Sequence, residues 1–449
     1  MGKNLNDELQ KFIEEKKLRK CREILETLNE VDVAEFLEEL DKEKSVMVFR
    51  VLSKEMAAEV FTYLESDIQE AIVEAITDVK LTELTSGMFM DDTVDFLEEM
   101  PSSVVKRVLK NVTKEKRELI NQFLNYPENS AGTIMTSEYV EFKEDMTVSE
   151  AFDTLRKTAF NKESVYTCYI TDKNRNLLGE VTVKQLLIAD DDEIIKDLME
   201  DVISVNTFTD KEEAAQIFQR YGLFSAPVVD KENRLVGFIT VDDALDVLEQ
   251  EATEDIEKMS ALHPSVKPYL KTSILTMTKN RIMWLLVLML SGMITGTILG
   301  KFEHAFSAVP ILVTFIPMLT DTGGNAGSQA STLIIRGMAI GELSSSDFFR
   351  ILYKEVCVSF LAGLILGTVT YLRIIILSPV AAQPMLPLVV ALSTFITVVI
   401  AKTIGAVLPL FARLIKADPA LMASPLITTI VDALALMIYF NIAKSLLIF

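Results

Sequence analysis

Histidine, cysteine and tryptophan are nearly missing from this chain, at two, three and one among 449 residues. His263 and His304 are too few for an imidazole zinc or copper site. Cys21, Cys168 and Cys357 lie far apart with no CxxC pair, which argues against a thiolate site and a disulfide framework. No P-loop, nucleophile motif or usable histidine pair is present, so catalysis is the least supported class. A metal handled here would meet oxygen ligands, which suits magnesium or calcium. The polar, charged N-terminus does not read as a cleaved signal peptide, and a reducing cytosol suits the soluble part.

Positive charge is scarce at the front and negative charge at the back. From Lys271 onward twelve Lys/Arg stand against seven Asp/Glu, leaving 32 against 58 before it, so a balance of −26 precedes one of +5. So acidic a front argues against nucleic acid or anionic lipid as its partner and favours cations. At this length two to four domains are expected, and the pattern divides the chain into 1–128, 129–250, 251–280 and 281–449. Residues 1–128 carry apolar residues at three- and four-residue spacing and read as helix almost throughout. VAEFLEEL from Val33, AAEVFTYL from Ala57 and TVDFLEEM from Thr93 repeat one amphipathic helix and align Glu35, Glu59 and Asp95. A small helical solenoid is expected, an all-α superhelix. Asp91, Asp92 and Asp95 form a tight acidic group that reads either as a solvated face or as a cation site.

Pro127 and the turn-forming ENSAG after it close that region. YITDKNRNLLGEVTVKQLL from Tyr169 then recurs as VVDKENRLVGFITVDDAL from Val228, pairing Asp172 with Asp230, Gly179 with Gly237 and Thr182 with Thr240 at an offset of 58. A strand, a polar turn, a strand with that glycine and a helix, given twice, resembles a tandem of cystathionine-β-synthase (CBS) domains with an α/β fold. The resemblance implies a regulatory pair able to take adenine nucleotide, with ATP as candidate ligand. Its nucleotide signature, Thr followed three residues later by Asp, is kept at Thr240 and Asp243 and half lost at Thr182 and Gln185. A cation role for Asp243 stays open beside the ribose role. The acids from Asp242 to Glu257 then make a self-repelling connector unless cations screen it.

Five hydrophobic regions follow, at 282–300, 305–335, 356–378, 385–411 and 420–448, so an α-helical transmembrane domain of five spans in the plasma membrane is expected. Lys267, Lys271, Lys279, Arg281, Arg336, Arg350, Lys354, Arg413 and Lys416 flank one side of the spans, and Lys301, Arg373 and Lys444 the other. That bias puts the N-terminal domains in the cytoplasm and the C-terminus outside. Asp432 sits inside the apolar run SPLITTIVDALALMIYF. A carboxylate at membrane depth is costly and normally faces a bundle interior or a watery path; the alternative is a structural acid paired with a Lys or a hydroxyl. Thr428, one turn before it, offers another oxygen, and Pro425 would free the carbonyl of Leu421. In the second span Gly323, Gly324 and Gly327 weaken the helix and let backbone approach an ion or a partner, with Asn325, Ser328 and Gln329 as neutral oxygens. Close packing of small residues is the competing reading. Lys402 can pair with Asp321 or Asp432, or reach an interface.

PMLTDTGGNAGSQASTLIIRGMAIGEL from Pro317, GAVLPLFARLIKADPALMASPLITTIVDALALMIYF from Gly405 and YPENSAGTIMTSEYV from Tyr126 resemble the MgtE family of magnesium channels or transporters. The order of parts matches as well: helical N domain, CBS pair, acidic connecting plug helix, five spans. The family implies a homodimer in the lipid bilayer with a central pore. In it the acid matching Asp432 binds hydrated Mg2+, and Mg2+ filling cytosolic acids closes the pore, so the ion is substrate and regulator at once. Carried over residue by residue, those sensing acids fall on Glu59, Asp91, Asp95, Glu212, Asp243, Asp246, Glu251, Glu254 and Asp255. The pore lining falls on Gly323, Gly324, Asn325, Ser424 and Thr428. Three positions depart from the family pattern: Gly222 stands for a common Asp, Ser424 for Asn or Gly, and Ala435 for Gly. An ion-coupled divalent-cation carrier and a non-conducting nucleotide-sensing receptor are the competing functions.

Overall fold

The computed structural model describes residues 3–265, 269–270, 272–377, 384–422 and 424–447, the side chains of residues 3, 4, 304–306, 345, 377 and 424 excepted. Lys267 and Lys271 of the charge bias and the side chain of Ser424 therefore lie outside the described residues. The chain forms two compact units, Met1–Leu248 and Glu249–Phe449.

Ten short helices, from Lys3–Glu14 to Lys114–Phe123, build the front of the first unit as the superhelix that the repeats suggest. Their starts are written in the sequence. Asn29, Asp41, Ser53, Thr77 and Thr113 each accept a hydrogen bond from a backbone N–H two or three residues on, a cap worth about 1 kcal/mol. Between caps, one apolar stripe per helix turns inward. Phe61 is fully buried, with Phe49 and Phe96 rings at 6.0 and 5.0 Å. The same core continues through Met135 into the second CBS repeat at Phe218, Val228 and Val247.

The CBS repeats are two three-stranded sheets of identical topology. β1 (Glu141–Lys143) runs parallel to β2 (Thr167–Thr171), which pairs antiparallel with β3 (Leu177–Thr182). β4 (Val205–Asn206), β5 (Ser225–Val229) and β6 (Leu235–Thr240) repeat this order. Ile170 opposes Gly179 as Val228 opposes Gly237, so the 58-residue offset holds in register. Each glycine leaves room for neighbouring backbone: a Cβ would come within 2.5 Å of the Glu200 carbonyl oxygen at Gly179 and 2.7 Å of that of Thr136 at Gly237. Gly222 ends the helix Lys211–Tyr221 at φ +66°, which gives its departure from the family pattern a local cause.

A connecting helix, Val241–Met259, starts in the first unit and ends in the second. In the second unit four helices among the described residues are long and apolar enough to cross a membrane: Ile274–Lys301, Phe348–Ile376, Leu386–Leu414 and Pro419–Leu446. The remaining expected span, Ile316–Ala339, is a 24-residue helix whose polar residues keep it out of that count. It packs against the helices Leu386–Leu414 and Ser424–Leu446. Contrary to the sequence expectation, its backbone stays α-helical through TGGNAGSQAS. Pro425 likewise opens the helix Ser424–Leu446 instead of interrupting it, so its missing N–H frees no carbonyl within that helix.

Candidate functional site

Helix geometry places Thr428 and Asp432 one turn apart on the helix Ser424–Leu446. Asp432 Oδ1 is buried and makes no hydrogen bond, so the structural-acid alternative gains no partner there. An unpaired carboxylate oxygen in such surroundings is costly unless a ligand meets it. The three glycines of Ile316–Ala339 bring the neighbouring helices close. A Cβ on Gly323 would fall 2.7 Å from Thr397 Cγ2 and 2.8 Å from Val431 Cγ1. On Gly324 it would meet Thr428 at 2.9 Å, and on Gly327 Ile427 at 2.7 Å. Gly323 and Gly324 are thus buried at helix contacts beside the Asp432 helix, and the close-packing reading describes them; Asn325 is exposed on the flank. Thr397, which no motif singles out, has a buried hydroxyl without a partner. By contrast Ser393, Thr394 and Thr403 of the same helix bond the carbonyl one turn back.

In the first unit Asp91 and Asp95 of the expected acids gather with Asp92 and Asp243. Asp91 is 8% exposed, and burial, with the charges of Asp243, Asp92 and Glu163, holds its carboxyl well above the usual range. Burial lifts Asp95 to about 7, helped by Glu98 and Asp243. Burial raises Asp92 to about 6, with Asp243 and Glu138 adding to it. Glu163, from the loop before β2, rises to about 8 by burial and by Asp92 and Asp243, and its Oε2 has no partner. Spacing along the chain gives no hint of this member. Glu59 lies apart from this group, beside Glu30, with burial and then the Glu30 charge raising it. Glu212 accepts from Gln216 at 3.1 Å on the helix Lys211–Tyr221. Asp246 stands near enough to Asp243 for their charges to interact.

Thr240 Oγ1 donates to Asp243 Oδ2 at 2.5 Å. Thr182 Oγ1 likewise donates to Gln185 Oε1 at 2.6 Å, and there a reciprocal bond to the Thr182 backbone completes a capping box at the helix Val183–Ile188. Both Thr-x-x-acid/amide motifs therefore start helices, whatever else they bind. Burial raises Asp243 to about 6 against the pull of the Thr240 hydroxyl.

In the second unit Lys258 lies among the connector acids. It bonds Asp418 Oδ2 at 2.6 Å and pairs with Glu254. Burial opposes its charge, yet these two partners hold its ammonium above the usual range. Asp255 is raised to about 6 by burial and by Asp418; Glu251 contributes charge to the same group. Asp418 also accepts from the Ala420 backbone N–H at 2.8 Å, and Ser331 Oγ donates to the Met422 carbonyl at 3.1 Å. The end of the connecting helix is thus tied to the turn leading into the Asp432 helix. Among the described residues no three His, Cys, Asp or Glu side chains converge as a ready ligand set.

Comparison with known proteins fits these parts. The MgtE divalent cation transporter model matches 316–442, the MgtE intracellular N domain model 28–129, and the CBS domain model 131–192 and 195–250. A magnesium transporter MgtE of Thermus thermophilus is 35% identical, over 100% of this chain and 99% of its own length. One from Bacillus subtilis is 31% identical, over 96% and 94%. The crystal structure of the cytosolic domain of the Mg2+ channel MgtE in complex with ATP is 33% identical, with a TM-score of 0.52, over 54% of this chain and 99% of that one. These relatives are named as transporters, a non-enzymatic class. Matched nearly end to end and in the same order of parts, the chain belongs to the MgtE family, as a membrane protein with a cytosolic, CBS-containing N-terminal part.

Proposed function

We infer that the chain forms a homodimeric, magnesium-selective channel or transporter for Mg2+ uptake, closed by cytosolic Mg2+. The observation that carries this is the buried, unpartnered Asp432 Oδ1 at the glycine-lined crossing of three helices. One carboxylate per chain leaves a divalent ion half balanced. A two-fold axis brings a second copy, and two carboxylates match the charge of one hydrated Mg2+. Thr428 and Thr397 are oxygens suited to its water shell; of the expected lining, Gly323 and Gly324 act by letting the helices approach, with Asn325 and Ser424 kept as proposed lining.

Closure is a population shift. When all are ionised, Asp91, Asp95, Asp243 and Asp246 repel one another within the first unit, and Glu251, Glu254 and Asp255 within the second. Divalent ions relieve this and favour the compact state. The continuous connecting helix and the Lys258–Asp418 contact supply a covalent and a polar link toward the Asp432 helix. Glu59 and Glu212 complete the proposed sensing set. ATP at the CBS pair, near Thr240 and Asp243, is proposed because a relative's cytosolic domain was solved with it. We assign the boundaries 1–128, 129–250, 251–280 and 281–449 to helical domain, CBS pair, connector and pore, with the C-terminus outside the cell.

The test is Mg2+ flux into liposomes containing only this protein. Replacing Asp432 by Asn is expected to cut flux by about tenfold or more, with the protein eluting unchanged, because each lost 1.4 kcal/mol of ion stabilisation is a factor of ten. Wild-type flux from that variant would overturn the pore assignment, and absence of flux from the wild type would overturn transport itself.

A further inference from the structure

Lys402 is only 9% exposed in the middle of the helix Leu386–Leu414. It lines a cavity of about 250 Å³ with Asp321, Thr322, Asn325 and Gln329. There is room for several waters, and the walls are polar enough to hold them. Asp321, Asn325 and Gln329 follow one another at four-residue steps along one face of Ile316–Ala339, and all three are exposed. A carboxylate and two amides do not face lipid without cost, so this face borders water or protein. The same helix carries Gly323 against Val431 on the side away from Asn325 and Gly324 against Thr428 between the two, and Asp321 is within electrostatic reach of Asp432. One helix therefore separates the Lys402 cavity from the Asp432 carboxylate.

We propose that Lys402, acting through this hydrated cavity, is the fixed countercharge of Asp321 and sets the charge that the permeating divalent cation meets at Asp432. With Lys402 in place, Asp321, Asp432 and Lys402 of one protomer sum to −1; without it the two carboxylates sum to −2. The two-fold pair then presents −2 or −4 to an ion of charge +2. Excess negative charge holds the ion more tightly and releases it more slowly, whereas conduction needs binding that is favourable but escapable. Lys402 is on this account a tuning residue that need not touch the ion. The inference rests on the Asp432 path proposed above.

A charge cycle in liposomes tests it, with half-saturating Mg2+ and maximal flux measured separately. Lys402→Met is expected to lower half-saturation by about tenfold and to lower maximal flux, since an added charge at this range acts through a partly screened dielectric. Asp321→Asn leaves Lys402 uncompensated and raises half-saturation. The double variant Asp321→Asn, Lys402→Met returns both quantities toward wild type, and Lys402→Arg stays close to wild type. Independent, additive effects of the two single changes would overturn the pairing, as would a Lys402→Met variant of unchanged half-saturation. If wild-type flux proves insensitive to Asp432→Asn, the path itself fails. If that sensitivity holds while the cycle is additive, only the role of Lys402 fails.

Discussion

Asp91, Asp92, Asp95, Asp243 and Glu163 are each displaced upward, and burial is the first cause for all five. Upward displacement of an acid has a definite sign. The folded state binds protons that the unfolded state has already released, so its stability falls as pH rises from the ordinary carboxylate range toward the folded values. Those values run from about 6 at Asp92 and Asp243 through about 7 at Asp95 to about 8 at Glu163. The full-length protein in detergent without divalent ions is therefore expected to show a first thermal transition lower at pH 8 than at pH 5.5. Added Mg2+ should raise that transition more at pH 8 than at pH 5.5, because the ion replaces the protons that neutralise the group. A transition that climbs with pH in chelator would show that these acids are ionised and solvated. Sequence reveals part of this group and hides the rest. Asp91 and Asp95 are legible as neighbours one helical turn apart, whereas Glu163 joins them only because the loop before β2 folds back against the helical domain.

At the scale of elements, propensity misleads where packing is tight. Three glycines within five positions cost a helix about 1 kcal/mol each relative to alanine, and from that cost the sequence suggests a weakened span. The helix Ile316–Ala339 persists because the missing side chains let two neighbours approach, and the dispersion gained offsets the lost propensity. Gly405 is the sharpest instance. A Cβ there would lie 2.2 Å from the Gly327 carbonyl oxygen, a backbone atom that cannot swing aside. Gly405→Ala is therefore expected to force the two helices apart and to lower the thermal stability of the membrane part by about 1–3 kcal/mol or more, the range for overpacked cores. Gly300, with nothing within 4 Å of its Cβ position, is the control that should accept Ala. Equal melting of both variants would mean that the helices do not cross at Gly405. The CBS strands are legible in the sequence, since short β-rich runs, the shared glycine and the 58-residue repeat all point to one topology. The count of spans was harder: Asp321, Asn325 and Gln329 put a polar stripe on one helix, and composition cannot tell a lined path from a soluble face.

For the whole molecule, the asymmetry of charge is the organising quantity. The −26 that precedes Lys271 is far from neutral, and self-repulsion of that size opposes compaction unless cations accumulate. General screening by monovalent salt weakens repulsion over the Debye length, about 8 Å at 0.15 M, everywhere alike. A divalent ion held among particular clustered acids acts locally and selects one arrangement. These two mechanisms separate when Asp91, Asp95, Asp243 and Asp246 are neutralised together to Asn. If closure depends on ions at these acids, the quadruple variant keeps conducting when Mg2+ is high on the side of the soluble units, while the wild type is inhibited. Raising KCl to the same ionic strength should not inhibit either protein. Two results would overturn the sensor: unaltered Mg2+ inhibition in the quadruple variant, or equal inhibition of the wild type by KCl. The Asp432→Asn protein provides the reference for impaired conduction and protein-free liposomes the reference for no flux, so loss of inhibition cannot be confused with loss of conduction.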